Sequence, residues 1–325
     1  MAERIGLGIV GFGIMGERLA RFAAEHDQVR LVGVWDPAPE AAARLAAAVP
    51  GVPMLPSAEA VIAACDCLYV ASPPAFHLAH AKAAFAAGKA AFLEKPLAVN
   101  LDDARAFVEA AEASGARGAV NFPTASSPAV AQLNAWRDAG AVGAPREVSI
   151  NIAFAAWPRS WQRDAVSWLD KPEQGGFTRE VVSHFLFLTR RQLGAMTLDA
   201  ARATFAAPGR SETAIAARIT AGGLPVALSG GVGTTLADDH NAWVLEGPVG
   251  AIRLRDWSFA ERRGPDGVWS PSPDAVPNER MRPMVLRRQL DGVAAMTRGE
   301  KHHLATLREA FEVQQVVEGI LSAHA

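Results

Sequence analysis

Apolar positions in the first 120 or so residues come in short blocks separated by amphipathic stretches. Residues Ile5–Val10 are an unbroken run of aliphatics and glycines, the pattern of a strand buried on both faces. A helical period follows over 15–24, then a second apolar block at 30–35. The series continues with a helix at 41–48, strand 66–71, an alanine-rich helix at 77–87 and strand 90–93. A helix at 101–113 opens on Asn100, a residue type that caps helix amides with its side chain. Strand 118–121 and a helix near 128–139 complete the run. Repeated βα units of this length predict an α/β fold with a parallel, doubly wound sheet.

After Gly143 the pattern changes. Strand signals accumulate at 146–154, 200–206, 214–220, 225–231, 243–246 and 251–254. Turns such as Ala221-Gly222-Gly223 and Gly247-Pro248 separate them. That predicts an antiparallel meander. Two helices, 284–297 and 304–321, end the chain, and the last is expected to pack back on the first half. The expected division is a ligand-binding α/β domain over 1–122 and an α+β domain with a large open antiparallel sheet over 123–325.

Composition narrows the function classes. At 325 residues the length suggests about two domains. Half the residues are hydrophobic and 20% charged, as in a soluble globular protein. A formal charge of -2 gives no electrostatic case for nucleic acid or an anionic membrane. No apolar run approaches the ~20 residues of a spanning helix. The start, Met1-Ala2-Glu3-Arg4, lacks the apolar core of a signal peptide, so the cytoplasm is the expected compartment. Cys65 and Cys67 flank Asp66 at the edge of an apolar run and read as reduced structural thiols.

The first candidate chemistry lies between strand and helix. Gly11-Phe12-Gly13-Ile14-Met15-Gly16 is a G-x-G-x-x-G run in the context its mechanism demands. The first glycine makes the turn, the second lets backbone approach a pyrophosphate, and the third lets helix pack on strand. The helix N-terminus then offers amide donors to the phosphates. Asp36 ends the next strand about 20 residues on, where an acid accepts from ribose hydroxyls and repels a 2′-phosphate. No arginine follows at once, and Arg44 lies well along the next helix. NAD is the expected cofactor, with NADP the alternative.

Strand 90–93 ends in Glu94-Lys95-Pro96, which delivers two charges to the carboxyl edge of the sheet, where ligands bind. Pro96 holds Lys95 extended at that edge. The alternative is an ordinary charged turn at a strand end. His77 and His80 stand a helical turn apart, but two histidines alone make a poor metal site, and none is expected. In the second half, Gly175-Gly176-Phe177-Thr178-Arg179-Glu180 runs into Val181, Val182, Ser183, His184 and the apolar 185–188. Glu180 and His184 are four apart, on one face of a helix that is otherwise largely apolar. A carboxylate and an imidazole there need partners or a cleft. Trp157, Trp161 and Trp168 precede this helix with Arg159, Arg163 and Lys171. They form either a small core or a platform for a sugar ring. The arginines Arg159 and Arg163 either grip a substrate carboxylate or are solvated.

The order Ala71-Ser72-Pro73-Pro74-Ala75-Phe76-His77, alanine-rich helix, Ala87-Gly88-Lys89 and Glu94-Lys95-Pro96 resembles the Gfo/Idh/MocA family of glucose–fructose oxidoreductase and inositol dehydrogenase relatives. The likeness is close over the first ~120 residues and looser beyond. It implies a Rossmann domain followed by a domain with a large open antiparallel sheet. It also implies nicotinamide-dependent redox chemistry at a secondary alcohol of a sugar, polyol or related cyclic compound. The expected cofactor contacts are Gly11 to Gly16, Asp36, Ser72, Pro73, Pro74, His77, Glu94, Lys95 and Asn121. Trp157, Trp161, Arg163, Arg179, Glu180 and His184 join Lys95 as candidate substrate contacts. Family members carry an Asp where this chain has Glu180 and a Gly where it has Val182. A basic residue common after the strand at Asn121 is replaced by Ala125, Ser126 and Ser127.

The expected mechanism is hydride transfer to or from the nicotinamide. Lys95 positions the substrate and moves the hydroxyl proton, while His184, oriented by Glu180, is the alternative or cooperating acid–base. Glu94 tethers Lys95 or the cofactor. Two other readings stay open: a non-redox glycoside-cleaving enzyme that uses NAD transiently, and a dinucleotide-binding regulator without turnover. The expected partner, besides a small-molecule substrate, is a second copy of the chain. A homodimer or homotetramer through the open sheet follows if strands 214–217 and 225–228 carry more apolar residues than one helical layer covers.

Overall fold

The computed structural model describes residues 3–323 and, at 163–167, the backbone alone. The chain divides into two compact units, Met1–Ser126 with Pro283–Phe311 and Ser127–Arg282 with Glu312–Ala325. In chain order the first run of elements is β1 (Ile5–Val10), α1 (Ile14–Ala24), β2 (Val29–Trp35), α2 (Ala41–Ala48) and α3 (Ala58–Ala64). It continues through β3 (Cys67–Val70), α4 (His77–Ala86), β4 (Ala90–Leu93), α5 (Leu101–Ser114) and β5 (Gly118–Val120). Ser57 caps α3, its Oγ taking the Ala60 amide at 3.2 Å, and Asn100 caps α5 through the Asp102 and Asp103 amides. All five strands pair in parallel, with β1 between β3 and β2. This is the doubly wound Rossmann sheet the sequence predicts. Strand β1 is buried along its whole length, as a strand with helices on both faces must be.

The second run is α6 (Pro128–Asp138), β6 (Glu147–Phe154), α7 (Val166–Leu169), α8 (Ser183–Leu193), β7 (Met196–Phe205), β8 (Glu212–Ala221) and β9 (Leu224–Val232). Then come β10 (Asp239–Glu246), β11 (Ala251–Arg255), β12 (Phe259–Arg263) and β13 (Trp269–Pro271). Strands β6 to β13 form one eight-stranded sheet in the order β13-β12-β11-β10-β6-β9-β8-β7. The sheet is mostly antiparallel, but it is not the simple meander predicted. β6 lies between β10 and β9 and pairs in parallel with β9, Ile150 opposite Leu228.

One face of this sheet is apolar and covered: Val148, Ile150, Ile215, Ile219, Val226, Leu228, Trp243, Leu245, Ile252 and Leu254 are all buried. The other exposes small and polar residues, Ser149, Asn151, Ala216, Ala227 and Ser229. The expectation of surplus apolar residues at 214–217 and 225–228 therefore fails. Ile215, Ala217, Val226 and Leu228 all face the covered side, and what these stretches leave exposed is Ala216, Pro225 and Ala227, with no large apolar side chain among them.

The chain ends with α9 (Asn278–Arg298), β14 (Ala305–Thr306) and α10 (Leu307–Ser322). β14 adds antiparallel to β5 at the edge of the first sheet. Leu286, Leu290, Val293, Ala294 and Met296 of α9 join Ile9, Tyr69 and Phe92 in that unit's core. No described helix is long and apolar enough to cross a membrane.

Candidate active site

Two glycines of the loop, Gly11 and Gly16, are sterically required. Gly11 sits at φ +93°, and a Cβ there would lie 2.5 Å from the backbone of Ala71 and Ser72. A Cβ on Gly16 would come within 2.1 Å of the Gly11 carbonyl. Gly13 is exposed, and a Cβ on it would meet nothing within 4 Å. Helix α1 starts at Ile14 without a side-chain cap, so its first amides remain for an anion. Phe12 takes part through its main chain only, its ring being fully buried.

Asp36 braces the loop through backbone amides. Its Oδ2 accepts the Phe12 amide at 2.6 Å and its Oδ1 the Ala38 amide at 2.8 Å. Helix α2 brings Arg44 back to the same place: its guanidinium donates to the Phe12 carbonyl, stands over the Phe12 ring and lies 3.6 Å from Glu17. The arginine that is remote from the fingerprint in sequence is thus beside it in space, which corrects that part of the reasoning for NAD.

Past the end of β3, Ser72 Oγ is buried and has no hydrogen-bond partner among the described residues. An open glycine, an uncapped helix start and this orphaned hydroxyl fit a dinucleotide. His77 is taken up differently from expectation. Its Nδ1 lies 2.8 Å from the Pro96 carbonyl and its Nε2 2.8 Å from the Ser72 carbonyl, so it ties the ends of β3 and β4 together. Burial pushes its pKa down to about 4, against the two carbonyls that favour the charged ring. His80 packs edge-on against Trp35. Among the described residues no group of three His, Cys, Asp or Glu could hold a metal.

Lys95 lies two residues past the end of β4 and is half-buried, and its peptide bond to Pro96 is cis. Glu94 is held inside the unit. It accepts from the Tyr69 hydroxyl and, at 2.6 Å, from Asn121 Nδ2, and Asn121 Oδ1 in turn accepts from Gln289 of α9. All four residues are buried. Burial and the neighbouring Glu94 push the Tyr69 phenol well up, so it stays a donor. Glu94 and Asn121, expected at the cofactor, are engaged in this internal network.

In the second unit, Thr178–Val182 winds as a π turn into α8, with the Ser183 amide reaching the Thr178 carbonyl. π turns are rare and frequent at functional sites. The glycine pair before it is sterically required. A Cβ on Gly175 would lie 2.2 Å from the Leu169 carbonyl, and one on Gly176 (φ +95°) 2.2 Å from Glu212 Oε2. Glu212, buried on β8, accepts the Thr178 amide at 2.6 Å and so fixes the start of the turn. Burial raises its pKa, opposed by the Thr178 hydrogen bonds.

Arg179, expected against a substrate, is committed elsewhere. Four donors go to Glu318 (2.7 and 2.6 Å) and the carbonyls of Pro172 and Gly175 (2.7 and 2.9 Å). It clamps the turn that carries Glu180. His184 is buried on α8, its ring edge-to-face with Trp257 at 5.5 Å between centroids.

The tryptophans divide. Trp157 packs edge-on against Phe154 and Phe177 and donates to the Leu169 carbonyl, a small core. Trp161 is 46% exposed and lies under the Arg159 guanidinium. Arg159 itself is buried and paired with Asp239 at 2.7 Å. The Arg163 side chain lies outside the described residues. Sequence reasoning missed Tyr69, Gln289 and Glu212 as partners, and Trp257 altogether. Only Trp257 left a trace, an Asp-Trp pair where a strand-to-strand turn calls for Asp-Gly.

Fold and site together define a class: a dinucleotide-binding α/β unit joined to an α+β unit with a large open sheet. Residues 5–122 match the profile of GFO_IDH_MocA, described as an oxidoreductase family with an NAD-binding Rossmann fold. Over those residues the chain carries the NAD-binding Rossmann unit of the Gfo/Idh/MocA oxidoreductases, and NAD is the cofactor that unit binds. No curated protein matches the sequence.

Solved structures match over nearly the whole length. An oxidoreductase from Agrobacterium radiobacter, in complex with NAD+, L-tartaric acid and magnesium, has TM-score 0.83 at 18% identity and covers 97% of this chain and 94% of its own. A putative myo-inositol dehydrogenase from Sinorhizobium meliloti 1021 has TM-score 0.79 at 19% identity, covering 98% and 97%. UDP-N-acetylglucosamine 3-dehydrogenase from Acidithiobacillus ferrooxidans has TM-score 0.78 at 20% identity, covering 99% and 98%. At these identities the likeness is one of fold.

Proposed function

We propose that this oxidoreductase acts on a secondary alcohol, or its carbonyl, in a sugar, polyol or related cyclic compound. The observation that carries the reading is Lys95, half-buried at the carboxyl end of β4 in an NAD-binding sheet. Two of the similar folds, by their names, are dehydrogenases of an inositol and of a nucleotide sugar, which supports the substrate class.

Bound NAD supplies a hydride acceptor, or as NADH a donor, at nicotinamide C4. The protein supplies position and the proton. In oxidation Lys95 Nζ takes the hydroxyl proton as the carbon gives up its hydrogen with both electrons, and in reduction it returns that proton. His184 is the second acid–base candidate, with Glu180 one turn before it. Asp36 holds the adenosine ribose and favours NAD, while Arg44 beside it softens the rejection of a 2′-phosphate.

A panel of polyols, aldoses and dihydrodiols, followed by NADH absorbance with NAD and NADP compared, tests the class. On the alcohol it returns, Lys95→Ala and His184→Ala should each lower kcat far more than they alter NAD affinity. If the two act on one substrate, the double variant should lose much less than the product of the two single losses. Wild-type protein that turns over no alcohol sinks the substrate class, and normal turnover by Lys95→Ala sinks the role of the lysine.

A further inference from the structure

The hairpin between β11 and β12 turns at Asp256 and Trp257, both in the left-handed region at φ +46° and +71°. The Ser258 amide closes the turn on the Arg255 carbonyl at 3.3 Å. Such a turn, left-handed at both central positions, calls for Asn-Gly or Asp-Gly. Asp256 meets that demand. Trp257 occupies the glycine position with the largest side chain available, and a bulky residue there is an outlier.

The surroundings hold it there. Asn241, fully buried on β10, accepts the Trp257 amide at 3.1 Å on its Oδ1, and its carbonyl accepts the Asp256 amide at 2.9 Å. The indole N–H points to Asp239 Oδ2 at 3.2 Å, the same oxygen that takes Arg159. So anchored, the half-buried indole stands against the His184 ring at 5.5 Å and Phe185 at 5.1 Å. A glycine would satisfy the turn, so the strained choice calls for an explanation outside the backbone, and the one candidate acid–base group of this unit is what the indole faces.

We infer that Trp257 is the wall of the substrate subsite beside His184, selecting ring-shaped substrates by stacking on their C–H face. The inference rests on the substrate class proposed above and narrows it to cyclic compounds over open-chain polyols. Carbohydrate rings present flat apolar faces of axial C–H groups, which an indole covers at low entropic cost. An extended polyol presents no such face.

The test uses the full-length chain and the alcohol panel, sorted into ring and open-chain members. Wild type should prefer ring alcohols. Trp257→Gly, whose backbone suits the turn, should raise KM for the ring alcohol at least tenfold. Its kcat should change less than threefold and its NADH affinity should stay as in wild type. Trp257→Phe keeps a ring face and should recover most of the loss, and Trp257→Asn, which also tolerates the left-handed backbone, stands in if the glycine variant fails to fold. A KM unchanged in the variant without a ring, or raised equally for ring and open-chain alcohols, would overturn the inference, as would a wild-type preference for open-chain alcohols. A wild type inactive on the whole panel fails the parent reading instead, and the wall falls with it.

Discussion

A histidine with a carbonyl oxygen on each side of its ring can be neutral only by leaving one of them unserved. His77 is in that position, and burial keeps it neutral down to about 4. Unfolded, the same ring takes a proton near 6.5. Between those values unfolding binds a proton, so the fold loses stability as pH falls from about 6.5 to about 4, by roughly 3 kcal/mol in all, and loses none above that window. His77→Gln should remove this component. Urea denaturation across that window should show the variant losing about 3 kcal/mol less than wild type, and parallel curves would refute the assignment. Residues of this kind were only half legible in the sequence. Asp36 and Lys95 could be placed by spacing from motifs. Glu94 and Arg179 could not, because their partners Asn121 and Glu318 lie 27 and 139 residues away.

At the scale of elements, local pattern was a good guide where pairing was local. The parallel β1 to β5 series followed from repeated units, and the glycine fingerprint fixed the β1–α1 turn. The three-residue β13 and the two-residue β14 carry too few positions to show a period. The parallel β6–β9 pair joins strands far apart in sequence, which no adjacent-strand reading returns. The π turn is likewise set from afar, by Glu212 on β8. Gly176→Ala would put a Cβ against that carboxylate and force alanine to φ +95°, a clash and a strain together. It should cost about 2–4 kcal/mol by urea denaturation, and Glu212→Ala in the same chain should recover part of that. A variant within ~0.5 kcal/mol of wild type would show that the turn is held by something else.

For the whole molecule, the open face of the eight-stranded sheet carries a consequence. Its exposed Ser149, Asn151, Ala216, Ala227 and Ser229 are small, with Arg218 beside Ala227 and Arg202 beside Ala216, so another flat surface can approach strands β6 and β9 closely between such longer side chains. We propose a homodimer or homotetramer through this face, on that ground and no longer on surplus apolar residues. Light scattering at micromolar concentration should return a multiple of 34.3 kDa, and a particle of that single mass would refute it.

The chain's passage from the first unit to the second, back at Pro283 and out again after Phe311, has a consequence for its birth on the ribosome. At about 5–20 residues per second, roughly 10–40 s separate residue 126 from residue 311. Until α9 emerges, the core around Tyr69 and Phe92 lacks Leu286, Leu290, Val293 and Met296, and β5 lacks its neighbour β14. The nascent Rossmann sheet therefore waits with an apolar face bare and an edge unpaired, the two features that recruit chaperones and invite misassembly. The nucleotide-binding half, though made first, is finished almost last.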